Sequence, residues 1–145
     1  MQLQEICKIP IFTEKTQGVT VSVQPFFADD LSHPKTNKYV YVYLVRISNY
    51  SGSDIKLISR KWHIIEEDGT SETVEGDGVI GLQPIIKNNE EFEYSSRAVL
   101  HSKTGMMYGF YYCTDLETYK TIEVTIPPFS LDQFSLDQDS HHEDN

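Results

Sequence analysis

Val74-Glu75-Gly76-Asp77-Gly78-Val79-Ile80-Gly81-Leu82-Gln83-Pro84 holds three of the eight glycines and decides the fold class. Gly76, Gly78 and Gly81 spell G-x-G-x-x-G, which in a dinucleotide-binding βαβ unit gives a tight turn, close approach to a pyrophosphate and a helix N-terminus beneath it. Such a unit requires an amphipathic helix directly after the last glycine. Here Pro84 follows within three residues, then Ile85-Ile86 and the turn-like Lys87-Asn88-Asn89, so no helix of useful length starts where the phosphate needs one. The other reading is a glycine-kinked loop between strands, with positions that need φ > 0 or close backbone approach.

Strand patterns on both sides favour that loop. Upstream, Glu67-Asp68-Gly69 is a hairpin turn between Trp62-His63-Ile64-Ile65 and Glu72-Thr73-Val74. The strand entering it spans Ile55 to Glu66, where Ile55 and Leu57 alternate first and Ile58, Arg60, Trp62 and Ile64 take over. That slip of one residue exchanges faces and predicts a β-bulge near Leu57-Ile58. Before it, Tyr39 to Asn49 places Tyr39, Tyr41, Tyr43, Val45 and Ile47 on one face and Arg46 and Ser48 on the other, so the tyrosine-rich face is the expected core. Earlier still, Val19, Val21 and Val23 alternate with polar residues in a strand expected to end at Pro25.

Downstream, Phe92 and Tyr94 alternate with charged neighbours in Glu91 to Val99, and a turn at His101 to Gly105 leads into Met106 to Thr114. Met107, Gly109, Tyr111 and Cys113 share one face of that segment and Tyr108, Phe110 and Tyr112 the other, which predicts a central strand. Thr121 to Ile126 is a last strand with an expected stop at Pro127-Pro128. Some seven strands with no helical period predict an all-β fold, an antiparallel β-sandwich.

With 145 residues the chain is one domain, divided as an N-terminal extension over 1–15, a sandwich over 16–131 and an acidic tail over 132–145 expected to lack order. Across the boundary between sandwich and tail, Phe129-Ser130-Leu131-Asp132-Gln133 recurs at once as Phe134-Ser135-Leu136-Asp137-Gln138, one copy structural and the other dispensable. The net charge is −10; five of the 22 acids lie in the last 14 residues, leaving 12 bases against 17 acids, or −5, over residues 1 to 131. A surface of this sign argues against nucleic-acid or membrane partners. Cys7 and Cys113 have no paired spacing, so neither a disulfide framework nor a zinc site is indicated, and no apolar run is long enough to cross a bilayer. A cytoplasmic protein without a metal or cofactor is expected.

No G-x-S-x-G or H-E-x-x-H motif is present, His33, His63 and His101 are scattered, and acids such as Asp29-Asp30 and Glu66-Glu67-Asp68 fall at turns. No catalytic residue is assigned. The candidates for binding a partner or an anion are Gly76, Gly78, Gly81, Arg60 and Trp62, with Arg60 as a cation beside a glycine loop offering backbone N–H donors.

Taken together, Val74-x-Gly76-x-Gly78-Val79-x-Gly81-x-x-Pro84, Ser59-Arg60-x-Trp62 before it, and Glu93-Tyr94-x-Ser96, Gly105-x-Met107-x-Gly109 and Ile126-Pro127-Pro128-Phe129-x-Leu131 after it resemble the ApaG family over roughly residues 16 to 131. The resemblance implies a fibronectin type III-like β-sandwich. It also implies either a small cytosolic bacterial protein associated with cobalt resistance and magnesium efflux, or the domain that serves as a protein-binding module in F-box proteins and a polymerase-associated protein. That family supplies no catalytic residues to carry over. Three functions follow as expectations: a non-catalytic protein-interaction module, a pyrophosphate- or nucleotide-binding protein, and a divalent-metal homeostasis factor.

Overall fold

The computed structural model describes residues 9 to 133. Among the described residues nine strands run in chain order: β1 Phe12–Thr16, β2 Val19–Phe27, β3 Tyr39–Asn49, β4 Ile55–Glu66, β5 Ser71–Asp77, β6 Ile85–Ile86, β7 Glu90–Leu100, β8 Gly105–Asp115 and β9 Thr121–Leu131. One antiparallel sheet has the order β1-β2-β3-β7 and the other β5-β4-β8-β9, with β6 also pairing to β4. Two 3-10 turns join β2 to β3, and no α-helix occurs among the described residues. The fold is the all-β antiparallel sandwich that the strand pattern predicts, in keeping with the fibronectin type III-like form that the resemblance implies.

The core lies between the sheets. Tyr41, Tyr43, Val45 and Ile47 of β3 face Leu57 and Trp62 of β4, Met107 and Tyr111 of β8, and Ile126, Phe129 and Leu131 of β9. Trp62 sits edge-on to the rings of Tyr43, Tyr111 and Phe129, at centroid distances of 5.6, 6.3 and 5.9 Å. Offset and edge-on pairs of this kind add to simple area burial. The hydroxyls of Tyr94 and Tyr111 hydrogen-bond each other across the sandwich. Burial pushes both phenols up, so two polar atoms are satisfied in the core without ionising.

Several strand ends differ from the sequence expectation, for one physical reason. Pro25 does not end β2, which continues to Phe27. The β1 pairing stops at Val23, so no ladder neighbour on that side needs the missing N–H of Pro25. Likewise β9 passes through Pro127-Pro128 to Leu131, because those prolines lie at a break in register between Met107 and Gly109 on an edge strand. The N-terminal boundary also moves: β1 pairs with β2, and Ile9 is buried with Phe26 and Leu44 in a small cluster on the outer face of β3. Residues 9 to 15 are therefore part of the sandwich rather than an extension. Strand β8 is central in its sheet as expected, but Tyr108, Phe110 and Tyr112 stay half-exposed because no layer of the described residues covers that face.

The bulge predicted in β4 is present, as a register shift against β8 between Leu57 and Ser59. The Glu67-Asp68-Gly69 turn closes with Glu66 N–H donating to Thr70 O at 2.8 Å, and Gly69 takes a φ of +92°. Asn49, the last residue of β3, is fully buried. Its Nδ2 donates to Ser53 O and Ile86 O, both at 2.8 Å, while its Oδ1 accepts from Ser51. This amide ties the β3–β4 turn to β6.

Cys113 is 1% exposed, and burial pushes its thiol up to about 12. In a Cys7→Ser variant, the remaining thiol is expected to resist an aromatic disulfide reagent at about pH 8 until denaturant is added, since only the thiolate reacts. Prompt reaction in the native protein would contradict this burial. No helix of the described residues is long and apolar enough to cross a membrane. The second Phe-Ser-Leu-Asp-Gln copy, most of the acidic tail, His141-His142 and Cys7 lie outside the described residues.

Candidate functional site

The glycine stretch is assembled around the β4 bulge. Along β5, Gly76 pairs with Arg60 and Asp77 with Ser59, and there the ladder stops. A bulge leaves a residue without its regular partner, and here that residue is Ile58. Its carbonyl accepts from the Gly78 N–H at 2.7 Å and from Gln83 Nε2 at 2.9 Å, while Leu57 N–H donates to Pro84 O at 3.0 Å. The chain then resumes pairing as β6, with Ile85 opposite Lys56 and Ile86 opposite Ile55. The loop is a patch that satisfies the irregular edge of β4.

Between these anchors, Val79 and Leu82 exchange N–H···O bonds of 2.8 Å each way, closing a two-residue turn at Ile80 and Gly81. Both central residues have positive φ, +45° and +76°, as a type I′ turn requires. Val79 points into the core and is buried. Ile80 is the anomaly. A β-branched residue at positive φ is a rare and strained conformation that persists only when its surroundings enforce it.

Of the five candidate residues, four belong to this loop or its support and one does not. Gly76 lies within β5 rather than in the loop; a Cβ there would stand 2.9 Å from both terminal nitrogens of Arg60, so the glycine makes room for the guanidinium. Arg60 Nη1 donates to Asp77 O at 3.0 Å and to Gly78 O at 2.7 Å. It is a latch on the loop's own backbone. Gly78, at φ +58°, approaches Leu82 so closely that a Cβ would be 1.9 Å from its carbonyl oxygen, whereas Gly81 has open space around it. Trp62, 3% exposed, is packed in the core and presents nothing to a partner.

The G-x-G-x-x-G spacing thus has a local cause at each glycine, positive φ at Gly78 and Gly81 and room for the guanidinium at Gly76. The amides of Gly78, Val79 and Leu82 are used internally, and β6 follows where a phosphate site would need a helix. Arg60 spends its Nη1 on two carbonyls of the loop.

What the loop presents instead is apolar. Ile80, Leu82 and Ile85 are 54%, 51% and 55% exposed within six residues of chain. The sequence signal was the V-I-G-L string itself: read as a two-residue hairpin, it forces isoleucine into a turn tip and places its side chain in water. Next to the loop, on the outer sheet face, Ser59, Arg60, Lys61, Glu75, Gly76, Asp77 and Tyr112 line an open groove of about 480 Å³. Lys61 there pairs with Glu75 at 3.5 Å.

Elsewhere, titratable groups have structural employment. Glu66 Oε1 accepts the His101 and Ser102 amides at 2.7 and 2.6 Å, and Glu67 Oε1 accepts the Lys103 amide at 3.1 Å. The Thr70 hydroxyl and amide hold the Asp68 carboxyl below its ordinary range, and the Glu117 and Thr118 amides do the same for Asp115. His63 stacks on Tyr108 with ring centroids 4.8 Å apart. No group of three or more His, Cys, Asp or Glu side chains comes together among the described residues.

Comparison with known proteins agrees with the geometry. The model of the ApaG domain matches residues 29–115, which include the bulge, the latch and the loop. Protein ApaG of Rhizobium meliloti is 39% identical over 121 residues, covering 83% of this chain and 92% of that protein. Protein ApaG of Vibrio cholerae is 40% identical over 113 residues, covering 78% and 89%. Among solved structures, the ApaA protein of Bordetella pertussis superposes with a TM-score of 0.75 at 38% identity, over 79% of this chain and 92% of that one. A second X-ray structure gives a TM-score of 0.76 at 29% identity, over 82% and 89%. By its loop, its sandwich and these relatives, the chain belongs to the ApaG domain family.

Proposed function

We propose that this ApaG-family protein is a non-catalytic interaction module that docks a partner protein on the tip of the Gly78–Pro84 loop. The observation that carries the reading is Ile80, a strained β-branched residue held in water beside exposed Leu82 and Ile85. Nothing in the turn's hydrogen bonding needs isoleucine at that position, and an exposed apolar tip is unfavourable in the free protein. An apolar cleft on a partner would remove all three side chains from water, and the rigid turn would lose little entropy on docking. The links to cobalt resistance and magnesium efflux that the resemblance implies then act through that partner, because the described residues offer no ligand cluster.

The test places a photo-cross-linking amino acid at position 80 and, as a control, at Tyr119, which is 78% exposed on another turn. Adducts specific to position 80 are expected. Excess wild-type protein should compete them away, and an Ile80→Asp, Leu82→Asp variant with an unchanged unfolding midpoint should not. Equal competition by the two proteins, or adducts at both positions alike, would overturn the reading.

A further inference from the structure

The direct repeat at the end of the sandwich is not used by the docking reading. Its first copy closes β9, and its alternate side chains are seated. Phe129, 1% exposed, packs against the rings of Phe12, Tyr43 and Trp62, and Leu131 is fully buried. Gln133, half-buried, lies near the hydroxyl of Tyr41, which donates to Lys103 O at 2.5 Å. Ser130 and Asp132 point to solvent. Phe134-Ser135-Leu136-Asp137-Gln138 carries the same three seated residue types at the same two-residue intervals. A strand seat selects side chains at alternate positions and a backbone edge, not a position in the chain. The two copies are chemically one ligand.

The fold also supplies a place to absorb the difference in length. Strand β9 is at the edge of its sheet, and its register against β8 already breaks: Ile126 lies opposite Gly109 and Phe129 opposite Met107, with Pro127 and Pro128 between. Enlarging that bulge to residues 127 to 133 would leave Thr121 to Ile126 in place. Loop-closure entropy grows only with the logarithm of length, so the enlargement is a modest penalty. Asp132 would then precede Phe134 by two residues where buried Pro127 precedes Phe129. That difference makes the first copy dominant.

We propose that the end of β9 is a peptide seat with two competing occupants in one chain, in which the Phe134 copy replaces the Phe129 copy by a five-residue slip. The slip changes how many residues follow the seat while leaving the core composition unaltered, and it protects the fold against loss of either copy.

Urea unfolding of the full chain tests this, followed by the emission of Trp62, the one tryptophan of the sequence and a member of the seat. Three variants are compared: Phe129→Ala with Leu131→Ala, Phe134→Ala with Leu136→Ala, and all four together. The second pair should leave the midpoint where it is, the first pair should lower it, and the fourfold variant should lower it about twice as far, since only then is the seat empty. Equal midpoints for the first pair and the fourfold variant overturn the proposal, as does failure of the first pair to fold. Phe129→Leu with and without Phe134→Leu repeats the comparison at a milder perturbation, and the same ordering is required. The rescue must also be independent of protein concentration over about a hundredfold range; rescue that grows with concentration means that a neighbouring chain fills the seat, and overturns the slip.

Discussion

Gly78→Ala is expected to remove about 3 to 5 kcal/mol of unfolding free energy, several times the effect of Gly81→Ala three residues later. Both glycines have positive φ, so both substitutions meet the left-handed penalty, about 1 to 2 kcal/mol for a residue with a Cβ. Only at Gly78 does the new methyl also meet backbone, 1.9 Å from the Leu82 carbonyl oxygen. Relieving that contact must open the Val79–Leu82 pair or pull Gly78 from Ile58 and Arg60, and each bond lost is worth about 0.5 to 1.5 kcal/mol. Urea unfolding of the two variants measures the difference; equal losses would show that the turn is not held as described. The same titration addresses the nucleotide expectation. A ligand that binds only the folded state raises the midpoint, and neither ATP nor pyrophosphate is expected to move it, since the amides that would hold a phosphate already have partners.

That loop marks the limit of what residue pattern conveys. Where structure follows from alternation along one strand, the sequence is explicit: Tyr39 to Asn49 is β3 to the residue, and the exchange of faces at Leu57-Ile58 is the bulge in β4. Where it depends on what lies across a ladder, the sequence is silent. Arg60 reads as a free cation because its acceptors, the carbonyls of Asp77 and Gly78, are backbone atoms 17 and 18 residues away. Pro25 and Pro127-Pro128 read as stops because the rule against proline in strands holds only where a neighbour needs the N–H, and edge position is not written in local sequence. Asn49 reads as the polar end of a strand, and its burial follows from β6 closing over it. Ile80 hides among apolar neighbours until the two-residue turn is recognised. The exposed face of β8 is a further case: six apolar or aromatic residues in alternation suggest cover on both sides, but pattern cannot count layers.

Gly109→Ala is expected to cost about 3 kcal/mol or more, although Gly109 has no unusual dihedral and sits in the middle of a strand. In most strands alanine would be the better residue at such a position, by about 0.5 to 1 kcal/mol. Here the sign is reversed by what the methyl meets: the Lys61 carbonyl oxygen at 2.0 Å and the Trp62 Cα at 3.2 Å, both backbone of the neighbouring strand. A flexible side chain can swing away from a contact of that kind, as Arg60 can from a substituted Gly76, but a central ladder cannot. β8 is held by β4 on one side and β9 on the other, and the row that must open carries Trp62, the centre of the aromatic cluster. The loss should therefore appear both as a lower urea midpoint and as a red-shifted Trp62 emission in the native state, because parting the strands admits water to the indole. Gly105→Ala is the comparison. Its Cβ would lie 2.7 Å from Ile65 O, but at the first residue of β8, where the strand can shift, so a loss well under that of Gly109→Ala is expected. If Gly109→Ala instead matched wild type within about 0.5 kcal/mol, the close approach of β4 and β8 at this row would be refuted, and Gly109 would need a cause other than strand packing.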